Sequence, residues 1–191
     1  MIAGVGHNSG QIIEAGHSWR KHVWTKARAQ LLPKLPIEAI RLRVKRAQEL
    51  GLPYKTYAGI RASTGHDLVG FLFSTNALQI LRDQQELAEI RHQKLAQLRN
   101  VRRGAVVHRP VSVERVAGMD LLDRAFAAPA FADSWAEMRD KVNAIITQEG
   151  GPADRLLMIG DTAFEREWAE AGRMAGYLRA EDFFAPQPVA T

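Results

Sequence analysis

The 191-residue chain has no cysteine, which excludes disulfide frameworks, thiolate zinc sites, iron–sulfur clusters and thiol nucleophiles together. It has no apolar run near the ~20 residues that a membrane-crossing helix needs. Met1–Gly10 lacks the basic start and apolar stretch of a secretory signal. Neither Gly-x-Gly-x-x-Gly nor Gly-x-x-x-x-Gly-Lys occurs, so a phosphate-cradling glycine loop of those kinds is not expected. Asp-x-Asp is absent as well, and there is no internal repeat. What is present is ordinary for a folded protein, with 46% hydrophobic and 25% charged residues. The expectation is one compact cytoplasmic domain over residues 11–184, with no cofactor and no membrane partner. It is flanked by a flexible glycine-rich leader (1–10) and a flexible proline-bearing tail (185–191).

The net charge of +5 conceals a polarity. Residues 1–110 carry 18 Lys and Arg against 7 Asp and Glu, whereas residues 111–191 carry 8 against 14. A basic N-terminal half (11–110) points to a polyanion or an acidic protein surface as partner, because clustered cations gain by releasing counterions from phosphates. The alternative is that the acidic half (111–184) neutralises it within one fold.

Periodicity predicts a first helix over Gln11–Leu32 with Trp19, Val23, Ala27 and Leu31 on one stripe. A second helix begins at Pro36, buries Ile37, Ile40, Val44, Ala47 and Leu50, and is ended by Gly51. Pro53 opens a short helix to about Ala62, and Leu68–Phe73 has the continuous apolar profile of a buried strand. A long helix is expected over Asn76–Asn100, then an internal boundary near Arg103–Pro110. Further helices are expected at Ser112–Phe126 and Phe131–Gln148, the latter with Trp135, Met138, Val142, Ile145 and Ile146 inside. Leu156–Ile159 reads as a second buried strand, succeeded by a helix to about Gly172. The fold class expected is mixed α/β and helix-dominated, with about six helices and a small sheet of two or three short strands.

Four constellations bear on function. Between Arg41 and Thr64, Ala47 and Gly51 have the spacing of a close helix crossing and its turn, with Leu50, Leu52, Tyr57 and Ile60 as locking positions. The segment resembles the helix-turn-helix of DNA-binding regulators. That resemblance makes Tyr54–Ser63 the recognition helix, turns Lys55, Thr56 and Arg61 to the major groove, and lets Arg41, Lys45 and Arg46 grip phosphates, with Arg43 on the same cationic surface. Gly59 inside that helix departs from the pattern and costs about 1 kcal/mol relative to alanine.

Val69–Asn76 (VGFLFSTN) and Leu156–Glu165 (LLMIGDTAFE) resemble the second and fourth motifs of haloacid-dehalogenase-type hydrolases. The resemblance implies phosphate contact by Ser74 or Thr75, metal-side carboxylates at Asp161 and Glu165, and a basic residue between them, for which Lys94 is the plausible lysine. That family's nucleophile is the first aspartate of an Asp-x-Asp on an early strand, and without it no phospho-enzyme forms. Asp161 is then expected to cap the helix from Thr162.

Glu14-x-x-His17 and Glu89-x-x-His92 have the spacing of carboxylate–histidine metal ligands, but beside the leader and on a wet cationic helix respectively, so no metal site is expected. Trp19 and Trp24, interleaved with cations, have the chemistry of base-stacking residues, with Trp19 expected in the core. The leader Gly4–Gly10 (GVGHNSG) resembles that of small alphaproteobacterial and phage-linked proteins. Together these make the leading expectation a non-enzymatic bacterial or phage-linked nucleic-acid-binding or regulatory protein that uses its basic half. The alternatives are a protein-interaction module with charged docking faces and a degenerate phosphohydrolase-like fold.

Overall fold

The computed structural model describes residues 35–186, and its elements succeed one another as strand, crossover helix and parallel strand. In chain order they are α1 (Ile37–Glu49), α2 (Tyr54–Thr64), β1 (Gly70–Ser74), α3 (Thr75–Leu78), α4 (Glu89–Gln97), β2 (Arg102–Val107), α5 (Val113–Ala117), β3 (Arg124–Ala127), α6 (Trp135–Glu149), a 3-10 turn (Ala153–Arg155), β4 (Leu156–Gly160), α7 (Ala163–Ala171), β5 (Gly176–Arg179) and α8 (Ala180–Phe184). The chain divides into residues 1–40 and 41–191. Of the first unit only residues 35–40 are described, and all five strands belong to the second. The expected leader, the helix at Gln11–Leu32 and most of the tail lie outside the described residues.

The sheet order is β3-β2-β1-β4-β5 and every pairing is parallel. A parallel sheet covered on both faces needs strands apolar on both sides. The central strands supply this, since all five residues of β1 (GFLFS) and of β4 (LLMIG) are buried. Alternation then sorts the side chains. Phe71, Phe73, Ala105, Val107, Leu157 and Ile159 meet residues of α1, α2, α4, α5 and α8 on one face. Leu72, Val106, Phe126, Leu156 and Met158 meet α6 and α7 on the other. Phe183 of α8 lies 5.4 and 5.5 Å from the rings of Phe71 and Phe73, edge to face.

The mixed α/β class is as expected, but the sheet has five strands rather than two or three, and eight α-helices are present among the described residues. The stretch at Arg103–Pro110 is no boundary: it holds most of β2, an interior strand. Its arginines obscure this, because they stand at the strand's entry, where Arg102 meets Glu149 and Arg103 meets Asp123. β3 (RAFA) overlaps the end of the helix expected at Ser112–Phe126, and its alanines suit either conformation. The long helix over Asn76–Asn100 is broken: α3 stops at Gln79, which takes a left-handed conformation (φ 58°), and α4 begins only at Glu89. Trp135, expected inside, is 53% exposed, whereas Met138, Val142, Ile145 and Ile146 are buried.

Glu149 ends α6 in an unfavourable place for a carboxylate, at the negative end of the helix dipole and 1% exposed. Its Oε1 lies 3.3 Å from Arg102 Nε without hydrogen-bond geometry, and neither oxygen has a hydrogen-bond partner among the described residues. Burial pushes its pKa up, opposed by the charges of Arg102 and Arg124. A raised folded-state pKa means stability that is present in acid and is lost as pH rises through the folded value. Glu149→Gln is therefore expected to gain about 1 kcal/mol at pH 7 over the parent, because Arg102 is 38% exposed and stays hydrated. Denaturant unfolding at pH 7 and at pH 4 checks this, and the gain should vanish at the lower pH.

Candidate functional site

In an open parallel sheet the functional crevice lies outside the carboxyl ends of the strands, at the point where the chain's crossovers change face. Here that point lies between β1 and β4. The residues that leave β1 and β4 meet there with the first residue after β2, and all converge on one carboxylate.

Glu165, in the first turn of α7, is fully buried. Its Oε1 accepts from Asn76 Nδ2 at 3.0 Å and lies 2.8 Å from His108 Nε2. Its Oε2 accepts the backbone N–H groups of Asp161 and Thr162 at 2.6 and 2.9 Å. Burial pushes the carboxyl's pKa upward, and the donors overcome it. His108 leads them, then the N–H of Asp161, the Ser74 hydroxyl and the N–H of Thr162, holding the group at about 2. A carboxylate ionised at every ordinary pH can only accept, so Nε2 of His108 is the protonated nitrogen.

Local sequence explains the convergence. Thr162 caps α7 and forms a capping box with Glu165, which turns the glutamate back over the helix start. Thr75 Oγ1 accepts the backbone N–H of His108 at 3.0 Å and aligns the exits of β1 and β2. The His108 ring lies 5.0 Å from Trp168, the first contact in an aromatic series running through Phe164 to the exposed Phe131.

Of the residues that the sequence suggests for phosphate chemistry, Ser74 and Thr75 are fully buried, and both side-chain oxygens accept from backbone, Ser74 Oγ from Ala77 N and Thr75 Oγ1 from His108 N. The four lone-pair positions of Glu165 are filled by protein donors. Asp161 is exposed beside it, and the cap role expected for Asp161 belongs to Thr162. Lys94 lies elsewhere: its Nζ donates to Gly51 O at 2.7 Å and sits over the Phe183 ring, and burial lowers its pKa. The cation whose charge acts on Asp161 is Arg91, one turn earlier on α4, held by Ala77 O at 2.9 Å and stacked on Phe184. Asn76, His108 and Arg91 are not candidates from the sequence; Asn76 ends the VGFLFSTN segment, while nothing near His108 in the sequence marks it.

The helix corner exists as the sequence implies. Ala47, Leu50, Leu52 and Tyr57 are buried, and Gly51 makes the turn at φ +61°. Its cations are not equivalent. Asp67 accepts from Arg46 Nε at 2.9 Å and from the Tyr57 hydroxyl at 2.8 Å, and lies 3.9 Å from Arg61. Arg46 also donates to the carbonyl oxygens of Leu68 and Asn100. Arg46 and Arg61 therefore hold the corner to the sheet. Arg41, Lys45 and Lys55 are exposed, and Arg43 and Thr56 half-buried.

Glu89 and His92 are both exposed, and among the described residues no group of three His, Asp or Glu is placed to hold a metal. Glu14, His17, Trp19 and Trp24 lie outside those residues. No described helix is long and apolar enough to cross a membrane. Comparison of the chain with known family models, with curated proteins and with solved structures gives no match.

The depressed pKa of Glu165 has a measurable consequence. A lowered folded-state value gives stability that is present above the ordinary carboxylate range and is lost as pH falls toward 2. The shift corresponds to about 3 kcal/mol. Glu165→Ala, which leaves Asn76, His108 and the N–H groups of Asp161 and Thr162 facing a gap, is expected to cost about 2–4 kcal/mol at pH 7 in denaturant unfolding. The difference from the parent should shrink on acidification.

Proposed function

We propose that this chain acts by binding rather than by turnover, as a non-catalytic, cytoplasmic relative of haloacid-dehalogenase-type hydrolases. The observation that carries the reading is the saturation of Glu165 by protein donors. A carboxylate whose lone pairs are all engaged has none left for a metal ion, and one held at about 2 is no proton donor at neutral pH. β1 and the turn after it carry the segment that resembles the family's second motif, and no Asp-x-Asp occurs in the chain to supply the nucleophile. A buried serine that caps its own helix and faces a carboxylate held at about 2 has only a weak base beside it. The protein is expected to release no phosphate from p-nitrophenyl phosphate with magnesium present, and its melting temperature should not respond to magnesium. Magnesium-dependent turnover above background would refute the reading.

A second reading names nucleic acid as the bound partner, and the exposed cations on the outer side of the helix corner favour it. Lys45 and Lys55 project from adjacent helices without the Asp67 bonds that occupy Arg46 and Arg61. If they meet phosphates, the double variant Lys45→Glu/Lys55→Glu weakens binding to random-sequence duplex DNA. It also lowers the slope of log K against log salt by about 2, with the fold intact by circular dichroism. An unchanged slope would leave an acidic protein surface as the partner of this face.

A further inference from the structure

We infer that the last turn of α6 (residues 146–149) is a pH-dependent clasp, seated on β2 while Glu149 is neutral and swung out to water when Glu149 is ionised. The clasp lies at the far end of the sheet from Glu165, so it goes beyond the proposed function and does not rest on it.

The seat is made by a missing side chain. Gly104, the third residue of β2, stands directly under the acid: a Cβ there would come within 3.0 Å of Glu149 Oε2 and 2.7 Å of Leu72 Cδ2. The carboxyl group thus takes the room of a β2 side chain, in the layer where Leu72 and Val106 meet Val142, Ile145 and Ile146 of α6. Such a place suits a neutral group. An ionised one has given up its water there, and neither oxygen has a hydrogen bond among the described residues in exchange.

The charged groups that face the acid come from β2 and from the start of β3. Arg102 brings Nε to 3.3 Å from Oε1, but its Nη1 donates to Gly150 O at 3.1 Å, and in that orientation Nε makes no hydrogen bond to the acid. Arg124 donates to the carbonyl of Gln148. Asp123, paired with Arg103 at 3.0 Å, adds negative charge of its own. The two arginines therefore serve the carbonyls that end α6 rather than the carboxylate. Those carbonyls form the negative end of the helix dipole, which opposes ionisation further. Burial moves the pKa of Glu149 upward, so the seated form is favoured in acid and is lost as pH rises through the folded value.

The chain after the acid is able to move. It runs Gly150-Gly151-Pro152, with Gly150 at φ +79°. Two adjacent glycines let the turn swing without pulling on β4, which begins at Leu156.

NMR of the full chain at pH 4 and pH 8 tests the clasp. At pH 4 the Glu149 side chain should show cross-relaxation with the α-protons of Gly104, and residues 146–149 should have helical Cα shifts. At pH 8 both should be lost, with the same midpoint as the titration of the Glu149 carboxyl carbon, while the shifts of β1 stay constant. In Glu149→Gln, which keeps the shape without the charge, the contact and the helical shifts should persist at both pH values. A contact that survives at pH 8 in the parent would overturn the inference, as would its loss in Glu149→Gln. So would β1 shifts that move together with those of α6, since the whole sheet would then be responding rather than one turn.

Discussion

The carboxylate of Glu165 is the tie on which the upper end of the sheet depends. β1, β2 and β4 leave the sheet through different turns, and each turn sends a donor to the same two oxygens. A buried charge is costly without partners, and it is tolerated here because the donors converge from three chain segments that a folded sheet alone brings together. The interaction therefore reports correct assembly. It also fixes the rotamer of Asn76 and the tautomer of His108, and so determines what the crevice can offer: ordered donors, one surface carboxylate in Asp161 and one stacked guanidinium in Arg91.

The opposite end of the sheet is built on a different principle. There Arg102 and Arg103, at the entry of β2, are matched by Glu149 and Asp123. The pairs join the basic half of the chain to the acidic half, so a share of the charge polarity written along the sequence is consumed inside the fold. Asp67 consumes a further share within the basic half itself, by holding Arg46 and Arg61. What remains outward is a smaller set of cations on the helix corner.

Legibility tracked local chemistry. β1 and β4 are buried on both faces, so their apolar runs are unbroken and can be read directly. The Ala47–Gly51 corner can be read because a positive-φ glycine and its flanking leucines are adjacent in sequence. β2, β3 and β5 escape detection because each carries arginine at an end and only a few apolar residues, so strand formation there depends on neighbours already in place. The break after α3 leaves no glycine or proline signal, since Gln79 takes the left-handed conformation itself. At the site, Asp161 and Glu165 are visible through a motif that gives both the same role, yet Asp161 is exposed and Glu165 buried. The Thr162-x-x-Glu165 capping box can be read in the sequence, but the burial of Glu165 under donors from β1 and β2 cannot. His108 and Arg91 come from β2's exit and from a helix distant in sequence, and no spacing rule links them.

Lys94 illustrates what burial does to a flexible cation. Its ammonium ends on the carbonyl of Gly51, with Leu98 close by and an aromatic ring beneath. A guanidinium is broader and planar, and would have to displace the turn to reach the same oxygen. The position thus reads a point charge at the tip of a thin stem. The turn of the corner that carries the outward cations is thus latched to α4 by an amine that is shielded from the acylating reagents that label surface lysines.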